Sequence, residues 1–321
     1  KEVKWYLSEN YRWTDEGRHI ANPLPPKLAG RIMVSFFDQP SMRTSLTFEN
    51  AMDLLGGRVR SYRNMTRESS LAKGDSLFDT FEMASGSAGV SVIVLRHPEV
   101  DAAKKAATVS SVPIINAGDG TEHPTQALVD LFTIQEALGS VEGKRITLIG
   151  DMHARTAKSL LYALTLYSKK GARTVLGLVA PPSFRIEIEM LEYLNKNKGH
   201  MLFYAPRLAI STILESDILY VLRPQQENWH RDIEDPRLRQ KKIKESLEEY
   251  YRLCTVDNKV LAHLPKSSIV LHPRPRGPEL PTEVDSDPRV LHTVQGRNGG
   301  PVRIALLEMM HSGEWQELAN K

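Results

Sequence analysis

The amino-acid sequence predicts an α/β fold with two doubly wound parallel-sheet domains of similar size, linked by helices. Short, nearly all-apolar runs alternate with longer helical patterns from one end of the 321-residue chain to the other. Strands of this composition are typical of parallel sheets that helices cover on both faces. A long helical pattern ends near Leu138 and is followed by Gly139, and several strand-like runs lie on each side of it. We therefore predict a first domain of residues 1–137, completed by a C-terminal helix over residues 300–321, and a second domain of residues 138–299.

The individual elements follow from the hydrophobic pattern and its period. Short apolar runs bounded by glycine, proline or polar residues predict strands. The predicted strands cover residues 32–37, 90–95, 112–115, 146–149, 174–179, 218–222 and 268–271. Longer stretches with apolar residues three or four positions apart predict helices. The predicted helices cover residues 44–55, 76–84, 125–138, 156–169, 184–197 and 237–253.

The bulk composition argues against several classes of protein. The 42 lysines and arginines are nearly matched by 39 aspartates and glutamates, which gives a formal net charge of +3. Nucleic-acid-binding proteins concentrate basic residues, so we expect no nucleic-acid partner. No apolar run approaches the roughly 20 residues that span a bilayer, and the chain does not open on the apolar core of a signal peptide. With Cys254 as the single cysteine, these features predict a cytoplasmic protein without a membrane partner.

The segment Ser41-Met42-Arg43-Thr44 lies between a predicted strand and a predicted amphipathic helix. Hydroxyl groups, backbone N–H groups and an arginine at the beginning of a helix form a binding site for an anion such as phosphate. The same residues are equally compatible with a serine or threonine that caps the helix beside a surface arginine. On its own, this segment leaves the two interpretations open.

Two further strand ends carry polar side chains that could serve the same ligand. Arg96 follows one predicted strand, and His123 and Gln126 follow a glycine-rich turn after the next. Each alone has an ordinary structural explanation, but ligands of parallel sheets collect at the carboxyl ends of strands. Together with Arg43 and Thr44, these residues predict a phosphate site with a neighbouring polar group. The glycine patterns of nucleotide-binding loops and the spacing of metal ligands are absent, so we expect neither metal nor cofactor.

Several longer motifs surround these residues in a fixed order along the chain. They are Ser41-Met42-Arg43-Thr44, Lys73-Gly74-Asp75, Leu95-Arg96-His97-Pro98, the segment 116–136, His272-Pro273-Arg274-Pro275-Arg276, the segment 283–289 and Gln295-Gly296-Arg297-Asn298-Gly299. In this order they resemble the motifs of the aspartate/ornithine carbamoyltransferase family, and of its aspartate branch in particular. The resemblance covers nearly the whole chain and is weakest before Leu28 and between Gln226 and Val260.

The resemblance implies a reaction and a set of residues that carry it out. In the family, an amine attacks carbamoyl phosphate and releases phosphate. This implies a transferase that carbamoylates L-aspartate to give N-carbamoyl-L-aspartate for pyrimidine biosynthesis, by positioning two small substrates without a cofactor. The implied catalytic residues are Arg43, Thr44, Arg96 and His123. The implied carbamoyl phosphate site contains these residues together with Ser41, Met42, Gln126, Pro273 and Arg274.

The resemblance also implies how the acceptor is bound. Arg155, Arg223 and Gln225 match positions at which the aspartate branch holds the acceptor's carboxylates, and guanidinium forks suit carboxylates. The amine-binding segment of the ornithine branch has no counterpart in this sequence. Ser69 and Lys73 match a loop that reaches into the active site of a neighbouring subunit. The resemblance therefore implies a homotrimer with shared active sites.

The sequence departs from the family pattern at several positions. Met42 replaces the usual threonine, the segment 151–155 is one residue shorter, and a charged insert covers residues 231–252. We expect this insert to be a solvated helix, with a partner-binding element as the alternative. Arg274 replaces a leucine near the place where carbamoyl group and acceptor meet. This added cation keeps open a carbamoyltransferase of specialised metabolism with a different acceptor. A third hypothesis, from a different class, is a catalytically silent homologue that serves as a binding or assembly subunit.

Overall fold

Two compact units make up the chain. A computed structural model describes residues 11–13, 19–21, 24–64, 76–168, 174–197 and 200–312. One unit consists of Lys1–Thr125 with Asn298–Lys321, and the other of Gln126–Arg297. Each contains a parallel sheet with helices, which confirms the predicted fold class.

The first unit contains a four-stranded sheet. Its strands, with a preceding pair, are β1 (Tyr11–Trp13), β2 (His19–Ala21), β3 (Ile32–Phe37), β4 (Arg58–Arg63), β5 (Val90–Arg96) and β6 (Ile114–Asn116). Three helices follow β3, β4 and β5, namely α1 (Met42–Leu54), α2 (Leu77–Ser85) and α3 (Ala102–Ala107). Strands β3 to β6 are parallel in the order β4-β3-β5-β6, whereas β1 and β2 form an antiparallel pair.

Buried side chains cover both faces of this sheet. Successive residues of a strand point to opposite faces, and Met33 and Val34 of β3 belong to two different buried clusters. The first cluster includes Phe48 of α1, and the second includes Phe81 of α2. Because both faces are covered, the central strands are apolar at consecutive positions, which is the pattern that the sequence shows.

The second unit contains a five-stranded parallel sheet. Its strands are β7 (Arg145–Ile149), β8 (Thr174–Val179), β9 (His200–Ala205), β10 (Ile218–Val221) and β11 (Ile269–Leu271). Its helices are α4 (Pro124–Leu138), α5 (Arg155–Ser168), α6 (Ile188–Lys196), α7 (Ile210–Glu215), α8 (Pro236–Cys254), α9 (Asn258–His263) and α10 (His292–Arg297). The division between the units falls inside α4, because Leu131 and Ile134 of this helix belong to the core of the second unit. The last helix, α11 (Gly299–Ser312), belongs to the first unit and packs against α1.

The helix predicted over residues 184–197 begins four residues later in the structure. A 3₁₀ turn covers Pro182–Phe184, the backbone is extended after it, and α6 begins only at Ile188. The ring of Phe184 is buried 4.4 Å from the ring of Trp229, centroid to centroid. This aromatic packing holds Phe184 outside the helix and overrides the local helical pattern.

The strand order of each sheet contains a topological switch point. The second sheet has the order β11-β10-β7-β8-β9. In the first sheet, β4 lies on one side of β3 and β5 lies on the other. In the second sheet, β8 lies on one side of β7 and β10 lies on the other. At such points the loops leaving two neighbouring strands diverge and form a crevice at the carboxyl edge. Most of the described polar residues that the sequence predicts as functional follow β3, β5, β7 and β10, and the others follow β6 and β11.

The charged insert forms most of α8. Asp235 caps this helix through its side chain, and Pro236 occupies the first helical position. Ile243, Tyr250 and Cys254 are buried, so one side of an otherwise charged helix packs against the unit. None of the helices in the described ranges is long and apolar enough to cross a membrane.

Candidate active site

The N-terminus of α1 follows β3 and is not capped by a side chain. Ser41 precedes the first helical residue, and its hydroxyl makes no capping hydrogen bond. The first turn carries no acidic residue, so no carboxylate of this turn competes for the N–H groups and the positive end of the helix dipole. Thr44 is buried and Met42 is 74% exposed. This geometry favours an anion site over a capped helix.

Arg96 and His123 lie against each other at the carboxyl edge of the first sheet. Arg96 Nη1 donates a hydrogen bond to the carbonyl of Ala117 (3.1 Å) and lies 3.2 Å from His123 Nε2. Because a guanidinium can only donate, Nε2 accepts, and the ring proton is on Nδ1, 3.4 Å from Thr125 Oγ1. His123 is buried and Arg96 is half-buried. The imidazole therefore fixes the direction of the guanidinium.

The turn that carries His123 is held by its own side chains. Asp119 accepts hydrogen bonds from two backbone N–H groups of the turn and from Asn116 Nδ2, the last at 2.8 Å. Gly120 leaves no room for a side chain, since a Cβ there would lie 2.5 Å from the carbonyl oxygen of Pro98. The loops after β5 and β6 are thus in close contact, which sets the position of His123.

In the second unit, Gln126 belongs to a buried network centred on Asp130. Gln126 Nε2 donates to Asp130 Oδ1 (2.8 Å), and Gln295 Nε2 donates to the same oxygen (2.7 Å). The hydroxyl of Tyr220 donates to Asp130 Oδ2 at 2.7 Å. Gln295 Oε1 accepts the backbone N–H of His272 (2.8 Å). Since its Nε2 is engaged, Gln126 is oriented to offer Oε1 to a ligand.

Asp151 joins the loops that carry the predicted acceptor residues. Its Oδ2 accepts the backbone N–H of Gln225 (3.1 Å) and the indole N–H of Trp229 (3.0 Å). The hydroxyl of Tyr250, on α8, donates to the carbonyl of Leu222 (2.7 Å) and accepts the N–H of Asp151 (3.1 Å). Tyr250 is fully buried, so α8 fixes the carboxyl ends of β7 and β10.

The three predicted acceptor residues lie at this carboxyl edge. Arg155 is half-buried at the start of α5, and Arg223 follows β10 and forms a two-point ion pair with Glu227. Gln225 Oε1 accepts a hydrogen bond from Asn228 Nδ2 at 2.9 Å. The amide of Gln225 is thereby oriented so that its NH2 group can donate to a carboxylate. The loops after β7 and β10 place these groups at the switch point of the second sheet.

Arg274, the departure from the family pattern, is anchored within its own unit. It follows Pro273 and has a left-handed backbone conformation with φ +59°, and its N–H donates to His272 Nδ1 at 2.9 Å. Its Nη2 lies 2.6 Å from His292 Nδ1 and 3.5 Å from Thr293 Oγ1. The guanidinium therefore has a defined direction.

Ser69 and Lys73 lie outside the described residues. Asp130 and Tyr250 support the candidate site but were not predicted. Gln126 and Asp130 are four residues apart on α4, a spacing at which helical side chains meet, so this pair was detectable in the sequence. Tyr250 lies in a charged insert and had no comparable signal. No group of three or more His, Cys, Asp and Glu residues within the described ranges could hold a metal ion.

Comparison with known proteins identifies the family. The model for the carbamoyl-P binding domain of aspartate/ornithine carbamoyltransferase matches residues 6–136. The model for the Asp/Orn binding domain matches residues 142–310. The chain therefore belongs to the aspartate/ornithine carbamoyltransferase family.

Several similar proteins carry the name of the aspartate branch. The aspartate carbamoyltransferase catalytic subunit of Thermoplasma volcanium is 37% identical over 303 residues, which cover 94% of this chain and 90% of that protein. The multifunctional protein CAD of Squalus acanthias is 41% identical over 286 residues, which cover 87% of this chain but 12% of that protein. The crystal structure of Trypanosoma cruzi aspartate transcarbamoylase with carbamoyl phosphate and aspartate is 36% identical. It superimposes with a TM-score of 0.78, covering 88% of this chain and 85% of that one.

Proposed function

We propose that this protein transfers the carbamoyl group of carbamoyl phosphate to the amine of L-aspartate. The products are N-carbamoyl-L-aspartate, an intermediate of pyrimidine biosynthesis, and phosphate. The observation that carries the proposal is the pairing of Arg96 Nη1 with His123 Nε2 at 3.2 Å. Arg96 is the last residue of β5, and β5 pairs with β3, the strand that leads into the uncapped helix α1. Relatives named for the same reaction, and a similar structure holding both substrates, support it.

Residues of the first unit bind the phosphate group of carbamoyl phosphate. The hydroxyl of Ser41 and the backbone N–H groups of the first turn of α1, beginning at Met42, are hydrogen-bond donors at the positive end of a helix dipole. Arg43 and Arg96 add charge-assisted hydrogen bonds, which are roughly twice as strong as neutral ones. Because only residues 38–41 separate the end of β3 from the start of α1, these donors are held close to the rigid sheet.

The reaction requires donors at the carbonyl oxygen. The amine nitrogen forms a bond to the carbonyl carbon, and negative charge develops on the carbonyl oxygen, where Thr44 and Arg96 donate. A donor of this kind contributes about 3 kcal/mol to transition-state stabilisation. In the present geometry His123 Nε2 accepts from Arg96, so His123 orients that guanidinium. His123 can donate to the carbonyl oxygen of carbamoyl phosphate only when Nε2 carries a proton. The carbon–oxygen bond to phosphate then breaks, and the departing phosphate takes the proton that the amine loses.

Residues of the second unit bind the acceptor and the carbamoyl NH2 group. Arg155 and Arg223 bind the acceptor's carboxylates, and Gln225 donates from its NH2 group. Gln126 accepts from the carbamoyl NH2 through Oε1, together with the backbone carbonyls around Pro273. For the domain roles, we propose residues 1–137 with 300–321 as the carbamoyl phosphate domain and residues 138–299 as the acceptor domain, although most of α4 belongs to the second compact unit.

A turnover assay tests the proposed function. Purified protein is incubated with carbamoyl phosphate and each of a panel of amino acids, and carbamoylated product and phosphate are measured. We expect turnover with L-aspartate, and in extracts of the source cells we expect the activity in the cytoplasmic fraction. Turnover only with another amine would replace aspartate as the acceptor. Absence of both turnover and carbamoyl phosphate binding would identify a catalytically silent homologue.

The shared active site of a homotrimer is a second part of the proposal. It rests on the resemblance of Ser69 and Lys73 to a loop that enters a neighbouring subunit. Two inactive variants, Lys73→Ala and His123→Ala, are mixed, dissociated and reassembled. If each site takes Lys73 from the neighbour, roughly a quarter of the sites in randomly mixed rings contain both wild-type residues. Recovery of activity to that level is expected, and a mixture no more active than its parents would show that sites are not shared.

A further inference from the structure

Two arginines follow β11, and their surroundings differ. Arg276 forms a two-point ion pair with Asp285, in which Nη2 lies 2.5 Å from Oδ2. Arg274 has no carboxylate partner among the described residues. Its guanidinium bonds there only through Nη2, to His292 and Thr293. One cation is therefore neutralised within the second unit, and the other is not.

The imidazole of His292 orients Arg274. Since a guanidinium can only donate, His292 Nδ1 is the acceptor from Nη2 at 2.6 Å. Nε2 lies 3.0 Å from both Arg276 Nη1 and Asp285 Oδ1. Of these two groups only the carboxylate can accept, so the proton of the neutral ring is on Nε2 and is donated to Asp285. Burial lowers the pKa of His292, and Arg274 and Arg276 lower it further against the opposing effect of Asp285. A carboxylate thus fixes a buried ring that is 3% exposed, and the ring fixes the guanidinium.

The backbone places Arg274 on the acceptor side of the second sheet. Strand β11 pairs in parallel with β10, and Leu271 lies opposite Tyr220. The loops after both strands leave the same carboxyl edge, and the loop after β10 carries Arg223. Arg274 also has φ +59°, and such strain at a residue with a side chain collects at functional sites.

We propose that Arg274, positioned by His292, contacts a carboxylate of the acceptor and so determines specificity for a dicarboxylic amino acid. This inference rests on the proposed function and adds a third guanidinium to Arg155 and Arg223. Nη1 and Nε of Arg274 donate to none of the described residues, and both are suited to a carboxylate. A half-buried cation that no carboxylate contacts directly favours an incoming anion, because the anion offsets the cost of its desolvation. A leucine at this position cannot make this contact.

The first test separates acceptor binding from the other steps. In Arg274→Leu we expect KM for aspartate to rise by about tenfold or more, the effect of one charge-assisted hydrogen bond. KM for carbamoyl phosphate and kcat should change much less. Arg207→Leu, which removes an exposed arginine elsewhere in the second unit, is the control and should resemble the wild type. A rise in KM for carbamoyl phosphate alone would assign Arg274 to the phosphate and overturn the proposal.

Two variants of His292 test its positioning role. Asparagine can place an oxygen acceptor near the position of Nδ1, whereas phenylalanine keeps a ring without an acceptor. His292→Phe should raise KM for aspartate in the same direction as Arg274→Leu, and His292→Asn should retain most of the wild-type affinity. If both variants lower thermal stability and neither moves KM for aspartate, the contact with His292 is only structural, and its positioning role is refuted.

A binding measurement keeps the inference distinct from the proposed function. Succinate carries two carboxylates but no amine, so it can bind at the acceptor site without reacting. We expect calorimetric titration in the presence of carbamoyl phosphate to show about tenfold weaker succinate binding in Arg274→Leu. Equal affinities would overturn the role of Arg274 even if aspartate is turned over. If Arg274→Leu binds succinate more weakly than the wild type does, but the wild type does not turn over aspartate, the proposed acceptor is overturned and the role of Arg274 is not.

Discussion

Replacing Arg96 with alanine should lower kcat for carbamoyl transfer by about 100- to 1,000-fold, the usual effect of removing one donor to a developing oxyanion. Arg96 donates to the carbonyl of Ala117 and to His123 Nε2, so its loss also removes the group that the imidazole orients. Lysine keeps the charge but has no planar fork. Arg96→Lys should therefore restore affinity for carbamoyl phosphate more than kcat. Steady-state kinetics at saturating aspartate measure both quantities.

Arg63 provides a matched control for Arg96, because the two arginines lie on opposite sides of Phe37 in the first sheet. Phe37 of β3 lies opposite Arg96 of β5 and opposite Arg63 of β4. The side chain of Arg63 is 60% exposed and lies 3.8 Å from Glu49, and surface ion pairs of this kind contribute little. Arg63→Ala should leave kcat within about twofold, as substitutions at exposed positions do. Equal losses in the two variants would mean that general positive charge, and not Arg96, supports the reaction.

The central strands of the two parallel sheets could be predicted from the sequence, whereas the edge strands β4 and β9 could not. The predicted ranges 32–37 and 174–179 coincide with β3 and β8, because strands covered on both faces are apolar at consecutive positions. Each of β4 and β9 is one of the two outer strands of its sheet. Most residues of β4 are exposed, and those of β9 are only partly buried. Their side chains are accordingly polar or mixed, and the hydrophobic pattern is too weak to indicate a strand.

In the candidate site, too, some contacts could not be predicted from the sequence. Arg274 could be singled out as an unexpected cation, but its partner His292 is 18 residues away and lies on α10. Tyr250 bonds to the backbone of Leu222 and Asp151, 28 and 99 residues away. Regular spacing along a helix predicts contacts within that helix. Contacts between loops depend on the strand order, which the sequence pattern does not specify.

Replacing Asp130 with asparagine should lower the free energy of unfolding by about 1–3 kcal/mol, the cost of leaving a buried donor without its acceptor. Asp130 is fully buried and accepts from Gln126, Gln295 and Tyr220. An asparagine side chain replaces one of the accepting oxygens with a donor. Chemical denaturation of the wild type and the variant measures the difference.

The pH dependence of this loss has a defined sign. Burial raises the pKa of Asp130 to about 6, although the hydrogen bonds from Gln295, Tyr220 and Gln126 lower it. The unfolded chain has an aspartate pKa of about 3.9, so between roughly pH 4 and pH 6 the native state binds more protons. The contribution of Asp130 to the free energy of unfolding therefore falls as pH rises through this window, by on the order of 3 kcal/mol, and is constant above it. Because asparagine does not titrate, the deficit of Asp130→Asn should be larger near pH 4.5 than near pH 7.5.

The kinetic effect of the same substitution tests whether Asp130 orients Gln126. Asparagine keeps a single oxygen for three donors, so Gln126 Nε2 is held less firmly. Its Oε1 is then less well directed at the carbamoyl NH2, and KM for carbamoyl phosphate should rise by up to about tenfold. Tyr220→Phe removes the hydrogen bond to Asp130 Oδ2 and leaves the bond from Gln126 to Oδ1. This control should lose about 0.5–1.5 kcal/mol of stability with little change in KM. Equal increases in KM in the two variants would show that kinetics follow the stability of the network and not the orientation of Gln126.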